Sequence, residues 1–195
     1  MLHVQDNFLP DDEFIWLSNI AQQQSERCFH IANTKPNRNI KFRVENKSSW
    51  SLAFPNLKGS LVAPGTILGK PIIKIIEKMK DKMNEVDTSN IEMPIHSSFF
   101  MFATTGYVVA PHIHRVRSSV PLNSLQKMYW AFLFCNGPWN NDWGGELCFN
   151  EGDFSPSPNR LIIYNALDKH WVKEIKNNGT TARILFSIRI GSEWE

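Results

Sequence analysis

The sequence predicts a mainly β chain, an antiparallel sandwich or barrel with helices packed against it on the N-terminal side. Three observations carry this. From residue 94 onward, short β-branched or aromatic runs follow one another at 95–103, 106–111, 127–135, 145–149, 160–164, 169–175 and 181–190, about seven strands split by turn residues. The intervals between them are too short for crossover helices, so neighbours pair antiparallel. Two helical patterns precede them. In 10–26, Pro10-Asp11-Asp12-Glu13 puts acids in a first turn, and Phe14, Leu17, Ile20 and Ala21 recur at helical spacing. Pro71 opens the second, where Ile72, Ile73, Ile76, Met79 and Met83 form a stripe, with Lys74, Lys78, Lys80 and Lys82 on a solvated face. Between the helices, residues 27–68 are broken by Pro36, Pro55 and Pro64 and read as loops and short strands, with alternation at 40–44.

With 195 residues and 42% hydrophobic content, the chain suits one domain: a helical and irregular part over 1–93 and a β core over 94–190. The composition is too apolar for a disordered chain. A balance of 21 basic against 19 acidic residues lacks the excess of a dedicated nucleic-acid binder, so no nucleic-acid partner is expected. The longest apolar runs, such as 129–135, are too short to span a membrane, and the first residues show no secretory pattern; a cytoplasmic protein is expected. Cys28, Cys135 and Cys148 are odd in number and form no CxxC, which excludes a disulfide framework and a thiolate zinc site. Cys135 and Cys148 lie in apolar surroundings and read as core.

Of six histidines, His3, His30 and His96 have no partner at ligand spacing. His112 and His114 stand at i and i+2, on one face of a strand. His170 begins a later strand, after Asp168-Lys169. Three neutral imidazoles from two strands would make an open metal site with vacant positions for water, substrate or oxygen. An HxH pair alone fits two unrelated structural histidines equally well. Arg183, Leu185 and Ser187 share a face of the last strand. An Arg inside an apolar strand is costly without an anion; the bland alternative is an edge-strand Arg that snorkels to water. Trp130, Phe132 and Phe134 share one face and read as interior lining.

The order of these features carries a resemblance. Residues 129–149 give an apolar strand, a turn bearing Trp139 and Trp143, the pair Gly144-Gly145 and another strand; then come Leu161 to Tyr164, His170-Trp171-Val172 and Arg183 to Ser187. The chain resembles the prolyl-4-hydroxylase-like branch of the iron(II)/2-oxoglutarate-dependent dioxygenases. Asp6-Asn7-Phe8-Leu9-Pro10 before a helix looks like that branch too. The likeness covers most of 90–190, more loosely 4–26, and fails in 27–68. It implies a double-stranded β-helix, or jelly roll, and Fe(2+), 2-oxoglutarate and O2 as cofactors. It implies His112 and His170 as metal ligands, and Arg183 with Ser187 as the grip on the far carboxylate of the cosubstrate. A guanidinium suits that task because it stays charged and binds carboxylate bidentately. The implied reaction hydroxylates a peptide or small-molecule substrate and releases succinate and CO2.

Two departures stand out. His114 occupies the place of the family's Asp ligand, which removes one anion from the centre. The site then holds iron through three imidazoles, prefers another metal that imidazole suits, or leaves His114 unligated. Phe134 stands where some relatives place a hydroxyl on the cosubstrate, and Phe102 likewise offers no hydrogen bond. Glu146, alternating with an inward Leu147, is expected at the surface. Asp168 reads as a turn former or as support behind His170. Arg115 and Arg117 bind an acidic substrate or nucleic acid at the site's mouth or, as is commoner for paired loop arginines, are merely solvated. Trp139 and Trp143 pack their turn or offer a stacking surface. Two other readings stay open. Gly106, His112 and His114 look like the first half of a cupin signature, whose three-histidine sites activate oxygen without 2-oxoglutarate. A binding module with a degenerate metal site is the other.

Overall fold

A computed structural model describes residues 2–32, 42–46, 49–54, 69–87, 95–114, 128–176 and 182–190. The elements run β1 (Leu2–Gln5), α1 (Asp11–Ala32), β2 (Phe42–Asn46), β3 (Ser49–Phe54), α2 (Gly69–Val86), β4 (Ile95–Ala103), β5 (Val109–His112), β6 (Tyr129–Phe134), β7 (Leu147–Phe149), β8 (Gly152–Phe154), β9 (Leu161–Asn165), β10 (His170–Val172) and β11 (Arg183–Ile190). They form a seven-stranded sheet, β1-β9-β6-β11-β4-β3-β2, facing a four-stranded sheet, β5-β10-β7-β8, and all registered pairs are antiparallel. This is the expected mainly β jelly roll with N-terminal helices. No helix among the described residues is long and apolar enough to cross a membrane.

Strands β6, β9 and β11 of the large sheet are buried on both faces, and their period-2 alternation sorts side chains between two cores. Tyr129, Ala131 and Leu133 of β6, Leu161 and Ile163 of β9, and Ile184, Phe186 and Ile188 of β11 meet the helices. The residues between them, Phe132, Phe134, Ile162, Tyr164 and Leu185, face the small sheet, where Leu147, Phe149 and Val172 close the sandwich. On the helix side, Leu17 and Ala21 of α1 and Ile72, Ile75, Ile76, Met79 and Met83 of α2 are buried. Each fully buried side chain of this size contributes roughly 1.5–3 kcal/mol. Glu13 of α1 holds Lys78 of α2 at 2.6 Å, tying the two helices.

The elements differ from the sequence reading in several places. Helix α1 runs to Ala32 rather than 26, since no proline or glycine interrupts it before Pro36. Ile75 replaces Ile73 in the buried stripe of α2; Ile73 is 36% exposed, because it sits about 100° around the helix from Ile72. Strand β5 starts at Val109, after a turn in which Tyr107 N–H donates to the Thr104 carbonyl. Strands β1 and β8 are additional, while β2 and β3 fall in the stretch read as loops and short strands. Strand β1 pairs with β9, and Asn159, at φ 58°, secures the chain after it: its side chain bonds both N–H and C=O of Leu9, at 2.9 and 2.8 Å.

Candidate functional site

The site lies in the inner core, where the ends of β5 and β10 meet β9 and β6. Strands β5 and β10 are antiparallel neighbours, and their register sets His112 opposite His170. His114 follows two residues on, its backbone N–H bonded to the Ala166 carbonyl at 3.0 Å. The three rings converge: centroids are 4.3 Å apart for His112 and His170, 4.7 Å for His114 and His170, and 5.4 Å for His112 and His114. One nitrogen from each lies within 4.8 Å of the others, so the group could hold a metal ion. No carboxylate joins that group among the described residues.

Hydrogen bonds fix two of the rings by the same local device. His112 Nδ1 meets the Ala110 carbonyl and His170 Nδ1 meets the Asp168 carbonyl, each at 2.9 Å. A carbonyl only accepts, so both Nδ1 atoms carry the proton and both Nε2 atoms keep a lone pair in the neutral ring. Asp168 serves as turn former as well, its Oδ2 accepting the Asn165 N–H at 2.9 Å. His114 is held differently. Its Nε2 lies 3.2 Å from the Tyr164 hydroxyl, and its ring stacks on Trp130 at 4.5 Å. Burial lowers the His170 pKa to about 4. It lowers that of His114 to about 3, helped by the positive fields of His170, His112 and Arg189. Both imidazoles are therefore neutral at pH 7, the state a metal requires.

Arg183 lies deeper, at the start of β11, and is 1% exposed. Its Nε donates to the Gly145 carbonyl at 2.8 Å, and its guanidinium sits 5.1 Å over the Phe134 ring. Nη1 and Nη2 are buried with no hydrogen-bond partner among the described residues, and so is Ser187 Oγ on the same strand face. Burial lowers the Arg183 pKa to about 10, which still leaves it charged at pH 7. A charged fork and a hydroxyl orphaned inside a protein mark a place for an anion. A dicarboxylate that reaches from the imidazoles to this fork fits the donor set, and three imidazoles with no carboxylate fit a divalent first-row metal. Phe134 supplies a ring face to Arg183 rather than a hydroxyl.

The pair Gly144-Gly145 builds the approach. Both have positive φ, 73° and 77°. A Cβ on Gly144 would stand 2.1 Å from the Glu174 carbonyl oxygen, and one on Gly145 would stand 3.3 Å from Arg183 Cδ. Only glycine lets this backbone pass close enough to present its carbonyl to Arg183. The structure corrects the expectation for Glu146, which follows this pair. It is half-buried, with Oε2 enclosed and without a hydrogen-bond partner among the described residues, beside a strand, β7, that is buried on both faces. Trp139 and Trp143 pack edge to face at 5.2 Å, and Trp139 Nε1 donates to the Gly144 carbonyl at 2.9 Å, so they brace this turn. Cys135 and Cys148 are buried free thiols, with the Cys148 pKa raised to about 12 by burial. Arg115 and Arg117 lie outside the described residues, as do the side chains of Cys28, His30 and His96. The sequence reading missed the Tyr164 contact to His114 and the Gly145 carbonyl on Arg183. No sequence signal shows that side chains fifty positions apart meet, whereas the Gly-Gly pair stands in the sequence and was not read as a close approach of backbone to another chain segment.

Neither protein-family models nor curated proteins give a match to the sequence. Solved structures do match over nearly the whole fold. A prolyl-4-hydroxylase from Pseudomonas putida aligns at 16% identity and a TM-score of 0.63, covering 98% of this chain and 92% of that one. A viral collagen prolyl hydroxylase from Paramecium bursaria Chlorella virus-1, in complex with 2-oxoglutarate, aligns at 14% identity and 0.65, covering 98% and 96%. A prolyl hydroxylase from Trichoplax adhaerens, bound to a hypoxia-inducible-factor peptide fragment, aligns at 14% and 0.61, covering 97% and 83%. The chain therefore has the fold seen in prolyl hydroxylases.

Proposed function

We propose that this protein is an iron(II)/2-oxoglutarate-dependent oxygenase that hydroxylates a peptide or a small molecule and releases succinate and CO2. The observation that carries the reading is Arg183, a buried cation whose Nη1 and Nη2 have no partner among the described residues, packed on Phe134 in the same inner core as Tyr164, which touches two of three convergent imidazoles. The fold shared with a 2-oxoglutarate-bound prolyl hydroxylase supports it, and the peptide bound to another fold relative favours a peptide substrate. In this reading His112, His170 and His114 hold the metal, and Arg183 with Ser187 holds the distal carboxylate of the cosubstrate.

Bound iron and 2-oxoglutarate would supply two-electron oxidation of a C–H bond by O2. The chain's own residues supply the rest. The Ala110 and Asp168 carbonyls keep the Nε2 lone pairs of His112 and His170 free. Arg183, pinned through Nε by Gly145, presents two N–H groups to one carboxylate with little reorganisation. Phe134, Phe149 and Tyr164 surround the histidines and Arg183 with buried ring surface. The test is succinate formation from 2-oxoglutarate by iron-loaded protein, with His170→Ala as control. Succinate from the wild type and none from the variant supports the reading. Iron-dependent oxygen uptake without 2-oxoglutarate would favour a cupin-like dioxygenase, and absence of bound metal a binding module.

A further inference from the structure

Resting on that reading, we infer that Tyr164 is the positioning residue that makes His114 a metal ligand, and that His114 binds through Nδ1 whereas His112 and His170 bind through Nε2. Two ligands share one arrangement: His112 and His170 each give Nδ1–H to the carbonyl two residues earlier, which turns Nε2 to the centre. His114 has no such bond. Its Nε2 faces the Tyr164 hydroxyl at 3.2 Å instead. A neutral imidazole has one N–H and one lone pair, and a phenol oxygen both donates and accepts. Once Nδ1 gives its lone pair to a metal, Nε2 must carry the proton, and Tyr164 Oη accepts it. The phenol thereby does for His114 what a backbone carbonyl does for the other two.

The surroundings leave His114 little freedom to choose otherwise. Trp130 covers one side of the ring at 4.5 Å with planes 28° apart. Tyr164 is itself fully buried, with Phe149 at 5.1 Å, Phe132 at 5.3 Å and His170 at 4.8 Å. Turning Nε2 to the metal would break the contact to a buried hydroxyl, which is costly when nothing replaces it. The consequence for function is specific: an imidazole stands in for a carboxylate at the third position only because β9 places a phenol behind it.

Zinc, which is diamagnetic, provides the test. Two-bond 1H–15N spectra of the imidazoles in the zinc-loaded protein report which nitrogen is coordinated. The expected pattern is Nε2 coordination with Nδ1 protonated for two histidines, and the reverse for His114, assigned by its loss in His114→Gln. Tyr164→Phe keeps the ring in the core; it should lower zinc affinity by about 10–100-fold, the range for partners behind a ligand, and abolish the inverted pattern. An Nε2-coordinated His114, a His114 that stays free at saturating zinc, or unchanged affinity in Tyr164→Phe would overturn the inference while leaving the metal site standing. A wild type that takes up no zinc, iron or nickel would sink the proposed function together with it.

Discussion

Arg183 donates one hydrogen bond, from Nε to the Gly145 carbonyl at 2.8 Å, and leaves its two terminal nitrogens buried without a partner among the described residues. Burying that charge with two nitrogens unpaired among the described residues costs folding free energy. Arg183→Met should make the ligand-free protein more stable, since an unsatisfied buried group costs about 1–3 kcal/mol and a charged one more. At about 2–4 °C per kcal/mol for a chain of this length, the melting temperature should rise by several degrees. Calorimetry on ligand-free protein checks this; a clear fall would mean that Arg183 is structural.

Adding 2-oxoglutarate to metal-loaded wild type should raise its melting temperature in proportion to the logarithm of ligand concentration. Arg183→Met should show no such rise at the same concentrations. Thermal shift measurements across a titration read both proteins in one experiment.

The glycine at the turn before β7 should be irreplaceable for steric reasons. Gly144→Ala places a Cβ 2.1 Å from the Glu174 carbonyl oxygen at φ 73°, so backbone must move. A loss of more than about 2 kcal/mol is expected, since φ 73° with ψ −148° is a backbone region essentially reserved for glycine, whose strain alone costs roughly 1–3 kcal/mol for a residue with a Cβ. Gly106→Ala is the control: φ is 85° but nothing lies within 4 Å, so only the strain remains. Denaturant unfolding of the two variants should separate them by that steric cost.

Stability should also carry an acid limb from Asp6, whose carboxylate pairs with Arg160. The bond to Arg160 lowers the Asp6 pKa below its ordinary value of 3.8. A depressed acid contributes stability that is full above the unfolded pKa and fades as pH falls through the folded one. The stability gap between wild type and Asp6→Asn should therefore hold at neutral pH and close below about pH 4. The gap is small, because Asp6 is 56% exposed and solvent screens the pair.

Much of the fold was legible because alternation survives in short strands. Residues 129–134 and 183–190 sort by parity between the helix side and the inner core, and that parity put Arg183 and Ser187 on one face before any coordinates. Strands β1 and β8 escaped because four and three residues carry too little pattern. His112, His114 and His170 could be named from spacing on two strands, but not brought together: that depends on the β5–β10 register. Glu146 was misjudged because alternation beside β7 was read as leaving one face in water, whereas Leu147, Cys148 and Phe149 are all buried. Tyr164 behind His114 is a contact between a strand of the large sheet and the chain just past β5 of the small one, and nothing local encodes it.

The most direct test of the central claim is a calorimetric titration of 2-oxoglutarate into anaerobic iron(II)-loaded protein. The account predicts one site per chain in the wild type, absent when the metal is removed and absent in Arg183→Met. Equal affinity in Arg183→Met, or binding indifferent to the metal, would contradict it.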